Sequence, residues 1–216
     1  MVITLDGPSG TGKSTLAKLL AKKLGFKFLN TGMIYRSISY YFLQKGILPE
    51  DSTNIEKFLK NINIEIIFEN GNQNIIINNF NCTPFVSTIR VQDNVSLYSQ
   101  ILPIRELVVV VQRNFAKANS IVIEGRDIGT EVFPHAEYKF YVECDMNVRA
   151  KRRYDDLIKN GEKISLEEVI VSLKNRDYVD MTRKYSPLKK PDGAITIDTS
   201  AKTIEQSLAE MIEYIK

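Results

Sequence analysis

Residues 7–14 are Gly7, Pro8, Ser9, Gly10, Thr11, Gly12, Lys13 and Ser14, with Thr15 following. The spacing G-x-x-x-x-G-K-[ST] is that of a loop that holds phosphate. Its glycines let the backbone turn N–H groups inward along a path that side chains would block. Those donors are expected to cradle a β-phosphate. Lys13 reaches the β- and γ-phosphates of ATP, and the Ser14 hydroxyl is a ligand for Mg²⁺. An apolar run, "VITL", precedes the loop, and "STLAKLLAKKLG" follows with Leu16, Leu19, Leu20 and Leu24 at helical spacing. The N-terminus of that helix adds positive character to the anion site.

Such a loop serves kinases, ATPases and molecular switches alike, so a second set of residues must select among them. Thr31, Tyr35 and Arg36 lie in "NTGMIYR", and Arg126 and Asp127 in "EGRDIG"; each motif follows an apolar run. "SQILPIRE" carries Ser99 and Arg105. In "RDYVDMTR", Arg176, Asp180 and Arg183 are spaced i, i+4 and i+7, which predicts one helix face. Arg149, Arg152 and Arg153 are predicted on a further helix. A row of Arg and Asp four apart is commonly a solvated, salt-bridged face. Arginines in several separate motifs beside a phosphate loop point instead to anions being clamped, because the guanidinium fork binds phosphate bidentately. The economical explanation is a second, phosphorylated substrate. A helical flap carrying arginines would bring charge to a migrating phosphoryl group and keep water out. Transfer between two phosphates needs no strong general base, since the acceptor oxygen is already anionic. The single histidine, His135, fits that chemistry.

The elements that position these residues follow from periodicity. Strands are predicted at "VITL", 26–30, "SIVIEG", "YKFYVEC" and "AITIDT". Helices are predicted after most of them, including 52–60 and a helical stretch over 93–118 with a junction near Pro103. Alternating strand and helix with apolar strands predicts an α/β fold: an open parallel sheet with helices on both faces. Ligands in that architecture sit beyond the carboxyl ends of the strands. The texture changes at "INIEIIFENGNQNIIINNFN", where apolar and polar residues alternate around an Asn-Gly pair. That pattern predicts an antiparallel hairpin, read as an insert over 62–92. The 216 residues, 44% hydrophobic, suffice for one α/β core. The net charge of +3 calls for neither nucleic acid nor a membrane surface, and no apolar run approaches a membrane span. Cys82 and Cys144 lack metal-ligand spacing and read as thiols. The expectation is a cytoplasmic monomer.

Together "GPSGTGKST", "NTGMIYR", "EGRDIGTEVFP", "RDYVDMTR" and "SPL" resemble, in order and over essentially the whole chain, the bacterial-type cytidylate kinases among the nucleoside monophosphate kinases. The resemblance implies a P-loop kinase domain over 1–216, a monophosphate-side subdomain over 62–92 and a lid over 150–175. It implies transfer of the γ-phosphoryl group of ATP to CMP or dCMP, with Mg²⁺. By the same resemblance Arg36 and Arg126 hold the CMP phosphate and Tyr35 lines that pocket. Ser99, Arg105, Asp127 and Arg183 face the cytosine, and Arg176 and Asp180 the ribose. Lys13, Arg126, Arg149 and Arg153 are the residues expected to act on the transferring group. Asn30 stands where the family usually has Asp, and Thr31 where it often has Ser. Glu124 stands where it often has Asp, and a carboxylate at that strand end can orient Mg²⁺-bound water. Kinases of shikimate or dephospho-coenzyme A would need other second-site residues. A GTPase switch would need an N-K-x-D motif, which the sequence lacks.

Overall fold

Apolar runs four to six residues long cannot span a helix but suit a buried strand, and amphipathic runs between them suit helices. The computed structural model describes residues 1–159 and 161–215. Residue 160, inside the expected lid, and residue 216, the end of the expected kinase domain, lie outside the described residues. In chain order the elements are β1 (Val2–Asp6), α1 (Lys13–Leu24), β2 (Lys27–Asn30), α2 (Thr31–Gln44), α3 (Ser52–Leu59), β3 (Ile64–Glu69), β4 (Asn72–Ile77) and β5 (Phe80–Asn81). There follow α4 (Ile89–Tyr98), α5 (Leu102–Lys117), β6 (Ile121–Gly125), β7 (Tyr138–Glu143), α6 (Met146–Lys159), α7 (Leu166–Thr182), β8 (Ile195–Asp198) and α8 (Ile204–Tyr214). The fold is the expected α/β architecture. It has a five-stranded sheet in the order β2-β6-β1-β7-β8, a separate three-stranded antiparallel sheet, and a helical hairpin of α6 and α7.

The chain divides into two compact units, one of Met1–Phe28 with Ser120–Lys216 and the other of Leu29–Asn119. In the first, β1 pairs in parallel with both β6 and β7, and β7 pairs in parallel with β8. Ile3 and Leu5 of β1, Val122 of β6, Phe140 and Val142 of β7 and Ile197 of β8 meet Leu16, Leu20 and Ala21 of α1 and Met211 of α8. Each fully buried Leu or Ile of this kind contributes about 1.5–3 kcal/mol. The hairpin of α6 and α7 has its own small core of Ala150, Val169 and Leu173. Ser165 and Glu168 form a capping box that starts α7.

In the second unit α2 and α4 pack together, and Tyr98 donates its hydroxyl to the Ile47 carbonyl at 2.6 Å inside that core. The Asn-rich stretch is folded. Asn70 and Gly71 both have positive φ, at 51° and 76°, which is the tight turn that the hairpin requires. Asn78 and Asn79 make a second such turn, with φ of 47° and 64°, into β5. Asparagine tolerates this left-handed region better than other residues with side chains, so the run of asparagines supplies turns. The predicted helical stretch at 93–118 is two helices, with Pro103 in the first turn of α5; α4 starts earlier, at Ile89.

Candidate active site

The first unit carries the phosphate loop between β1 and α1. Gly7 has φ of 145°, and a Cβ there would collide with the Val142 carbonyl of β7. Only glycine lets β1 turn away this close to its neighbour. Gly12, at the start of α1, has no side chain to cap the helix, so the first-turn amides have no side-chain partner there. Lys13 is almost fully buried. Its Nζ donates to the Pro8 carbonyl at 2.5 Å and to Thr11 Oγ1 at 3.3 Å. Burial pushes the Lys13 amine down to about 7, with Arg126 adding to the fall and Glu124 and Asp6 opposing it. Ser14 Oγ donates to Glu124 Oε1 at 2.8 Å, so the carboxyl end of β6 reaches the loop. Behind the loop, Thr199 Oγ1 donates to the Thr11 carbonyl at 2.9 Å.

The three arginines of α6 do not act together. Arg149 is buried against the loop: its Nη1 donates to the Ser9 carbonyl at 2.9 Å and to Asp177 Oδ2 at 2.6 Å. Asp177 Oδ1 in turn accepts from the Ser9 amide at 3.3 Å. Arg152 reaches the Thr199 carbonyl at 2.8 Å, and Arg153 is exposed.

Beyond β6 the chain forms a π-helical turn at Ile128–Val132, which opens with Asp127. Here Arg126 Nε donates to Asp180 Oδ2 at 2.8 Å. Arg183 Nη2 lies 3.3 Å from Asp127 Oδ1, and its Nη1 lies 3.9 Å from Asp180 Oδ1. Two arginines and two aspartates thus form one largely buried network. Burial alone would lower the Arg126 pKa, but the charges of Asp180 and Glu124 and the Asp180 hydrogen bond raise it. Burial would likewise raise Asp180, but the Arg126 charge and hydrogen bond hold it below the usual range. The predicted single helix face is only partly realised. Asp180 is buried on α7, Arg176 is exposed, and Arg183 is the C-cap, in extended backbone, rather than a helical residue. Its Nε donates to the Ser186 carbonyl at 2.7 Å, and the Leu188 amide donates to the Asp180 carbonyl at 2.7 Å, which fixes the "SPL" segment.

The second unit holds the remaining predicted residues. Asn30 caps α2 by accepting from the Met33 amide at 3.1 Å. Gln73 of β4 grips the Asn30 backbone from both sides: its Oε1 accepts from the amide at 2.7 Å and its Nε2 donates to the carbonyl at 3.1 Å. The antiparallel sheet is thereby stapled to the start of the helix that bears Thr31, Tyr35 and Arg36. Gly32 leaves room for the Arg36 guanidinium; a Cβ would lie 3.0 Å from its Nη1. Arg105 is buried, donates from Nη1 to the Ser99 carbonyl at 2.8 Å, and stands 5.6 Å from the centroid of the Tyr35 ring. Ser99, Arg105 and Tyr35 are therefore one cluster.

Sequence reasoning missed Asp6, Gln73 and Asp177. Asp177 shares the Asp180 motif at i−3, which was the available signal; Asp6 is an acid ending an apolar strand. Nothing local pointed to Gln73.

Against known proteins, the family model described as cytidylate kinase matches residues 3–216. The chain is 40% identical over 219 residues to a cytidylate kinase of Fusobacterium nucleatum subsp. nucleatum, covering 100% of this chain and 99% of the relative. It is 39% identical over 215 residues to a cytidylate kinase of Clostridioides difficile, covering 100% and 98%. A crystal structure of an uncharacterized protein from Eubacterium ventriosum shares the fold, with a TM-score of 0.53 at 14% identity, covering 100% of this chain and 98% of that one.

Proposed function

The chain belongs to the cytidylate kinase family, and on that premise we propose that it transfers the γ-phosphoryl group of ATP to CMP or dCMP, giving CDP or dCDP and ADP. The observation that best supports this reading is the buried network of Arg126, Asp127, Asp180 and Arg183 in the same unit as the phosphate loop. A loop for one phosphate chain and a second set of paired arginines and acids suit two nucleotide substrates.

In this reading the P-loop amides and Lys13 bind the ATP phosphates, and Lys13 exchanges the Pro8 carbonyl for phosphate oxygens. Charge spread over the transferring group is the main thing to be stabilised, and preorganised cations do it. Arg126, already fixed by Asp180, binds the CMP phosphate, as does Arg36. Asp127 and Arg183 of the first unit, and Ser99 and Arg105 of the second, serve the cytosine; Tyr35, next to Arg105, lines the phosphate pocket, and Arg176 and Asp180 serve the ribose. No proton acceptor is required, because the CMP phosphate attacks as an anion. The Ser14 hydroxyl and Glu124 carboxylate form a hard-oxygen pair that fits a small divalent cation such as Mg²⁺. Ser14 would be its ligand and Glu124 would orient its water; when bound, Mg²⁺ would neutralise phosphate charge. The lid is the part of the α6 and α7 hairpin over 150–175. Cys82 and Cys144 are both free thiols, which supports action in a reducing cytoplasm, and we take the working form to be a monomer. A coupled assay of ADP release with CMP, dCMP, UMP, AMP, GMP and shikimate tests the proposal. Turnover confined to CMP and dCMP is expected, and preference for any other acceptor refutes it.

A further inference from the structure

The Asp6 carboxylate is fully buried at the last position of β1, directly before Gly7 of the phosphate loop. Its Oδ1 accepts from the Ile128 amide at 2.8 Å and its Oδ2 from the Gly129 amide at 2.7 Å. Those amides open the π-helical turn and come immediately after Arg126 and Asp127. Both carboxylate oxygens are thus spent on two consecutive amides, one loop away in space and 122 and 123 residues away in sequence. The same turn is pressed onto β1 at Gly129, where a Cβ would lie 2.8 Å from Pro191 Cγ and 3.0 Å from Thr4 Oγ1.

We infer that Asp6 is a positioning residue for phosphoryl transfer, clipping the loop that carries Arg126 and Asp127 to the strand end from which the phosphate loop springs. The inference rests on the CMP kinase reading above. The physical case is one of geometry. In-line transfer demands that donor and acceptor groups be held closely, and a misplacement of about 1 Å can cost about 10²-fold in rate. A side chain that hydrogen-bonds rigidly to one loop while ending the strand that begins the other fixes that separation. A carboxylate fits where an amide does not, because it offers two acceptors to two donors, whereas Asn would set its own NH₂ against one of them. The charged groups acting on Asp6 are Asp127 from the turn and Lys13 from α1, and Asp6 in turn helps to raise the Tyr141 phenol of β7. Burial pushes the Asp6 carboxyl up to about 7, although both amides and Lys13 pull it down and only Asp127 adds to the rise. A buried acid held at such a cost is poorly explained by stability alone.

The test compares wild type with Asp6→Asn in three measurements: kcat and KM with CMP, equilibrium affinity for a non-hydrolysable ATP analogue, and amide exchange. Positioning predicts a kcat lower by about 10²-fold and a raised KM for CMP, with analogue affinity retained. Wild-type kcat and KM in a folded Asp6→Asn protein overturn the inference and leave the CMP kinase reading intact. A wild-type enzyme inactive on CMP overturns the reading itself. Should Asp6→Asn not fold, exchange in the wild type decides: the analogue alone, without CMP, should slow exchange at Ile128 and Gly129. No change there overturns the clip.

Discussion

The Asp177 carboxylate lies 2.6 Å from the Arg149 guanidinium, and together they hold both backbone polar groups of Ser9 in the phosphate loop. The helical hairpin is therefore bonded to the loop it is proposed to cover. Both side chains are nearly fully buried. Breaking such a pair leaves an uncompensated charge, at a cost of about 3–5 kcal/mol, whereas replacing both partners by apolar residues is often neutral. Asp177→Ala should thus destabilise the protein more than Arg149→Met with Asp177→Leu does. Urea denaturation of each provides the comparison. Simple additivity of the single changes would contradict a coupled pair.

Lys13→Ala should lower kcat by about 10²–10³. Its buried amine is already pushed down to about 7, chiefly by burial, so its removal relieves a cost and should not lower the melting temperature. Near-wild-type turnover by the variant would refute the role of Lys13 in transfer.

Asp6 makes stability depend on pH. Its ordinary value is 3.8 and its folded value about 7, so in that window the folded protein holds a proton that the unfolded chain has released. Stability from this group is complete below the lower value and is lost as pH rises through the upper one. The stability of wild type relative to Asp6→Asn should therefore fall between about pH 4 and about pH 7 and level off above. Denaturation midpoints for the two proteins across that range check it; a constant difference contradicts it.

Asp127 Oδ1 lies 3.3 Å from Arg183 Nη2. Its carboxylate would receive the exocyclic amine of cytosine, which uracil replaces by a carbonyl. Sites built to bond a substrate group reject analogues lacking it by up to about 10⁴–10⁵. Asp127→Ala should cut kcat/KM for CMP strongly and for UMP much less. Parallel losses would mean that Asp127 only holds Arg183.

Amide exchange over 150–175 should be fast in the free enzyme and slow with ATP and CMP bound, because lids are drawn from weakly held parts of a fold. The hairpin's small separate core is consistent with that. Equal rates in both states would rule out closure.

The strands, the helices, the phosphate loop and the inserted hairpin were legible because each is specified locally. Lys13 and Ser14 follow Gly12 by covalent necessity, and Asn70-Gly71 dictates its own turn. The network around them was not, because its bonds join distant residues: Asp6 to Ile128, Ser9 to Asp177, Asn30 to Gln73. Spacing on a helix likewise could not show that α7 ends at Thr182, which takes Arg183 off the predicted face. Nor could it separate the α6 arginines. Arg149 is buried and Arg153 exposed because the rotation of the helix against its neighbours, and not residue type, decides which side faces the protein.

The bond from Thr199 to the Thr11 carbonyl joins residues 188 apart, and β1 and α1 pack on β7, β8 and α8 within one unit. Synthesis runs in the opposite sense to this dependence. At about 5–20 residues per second, roughly ten to forty seconds separate the emergence of Thr11 from that of Thr199. All of Leu29–Asn119 is made in between. The nucleotide loop leaves the ribosome well before the strand and helix that support it, so a nascent chain stalled before β8 carries the motif without the scaffold that shapes it.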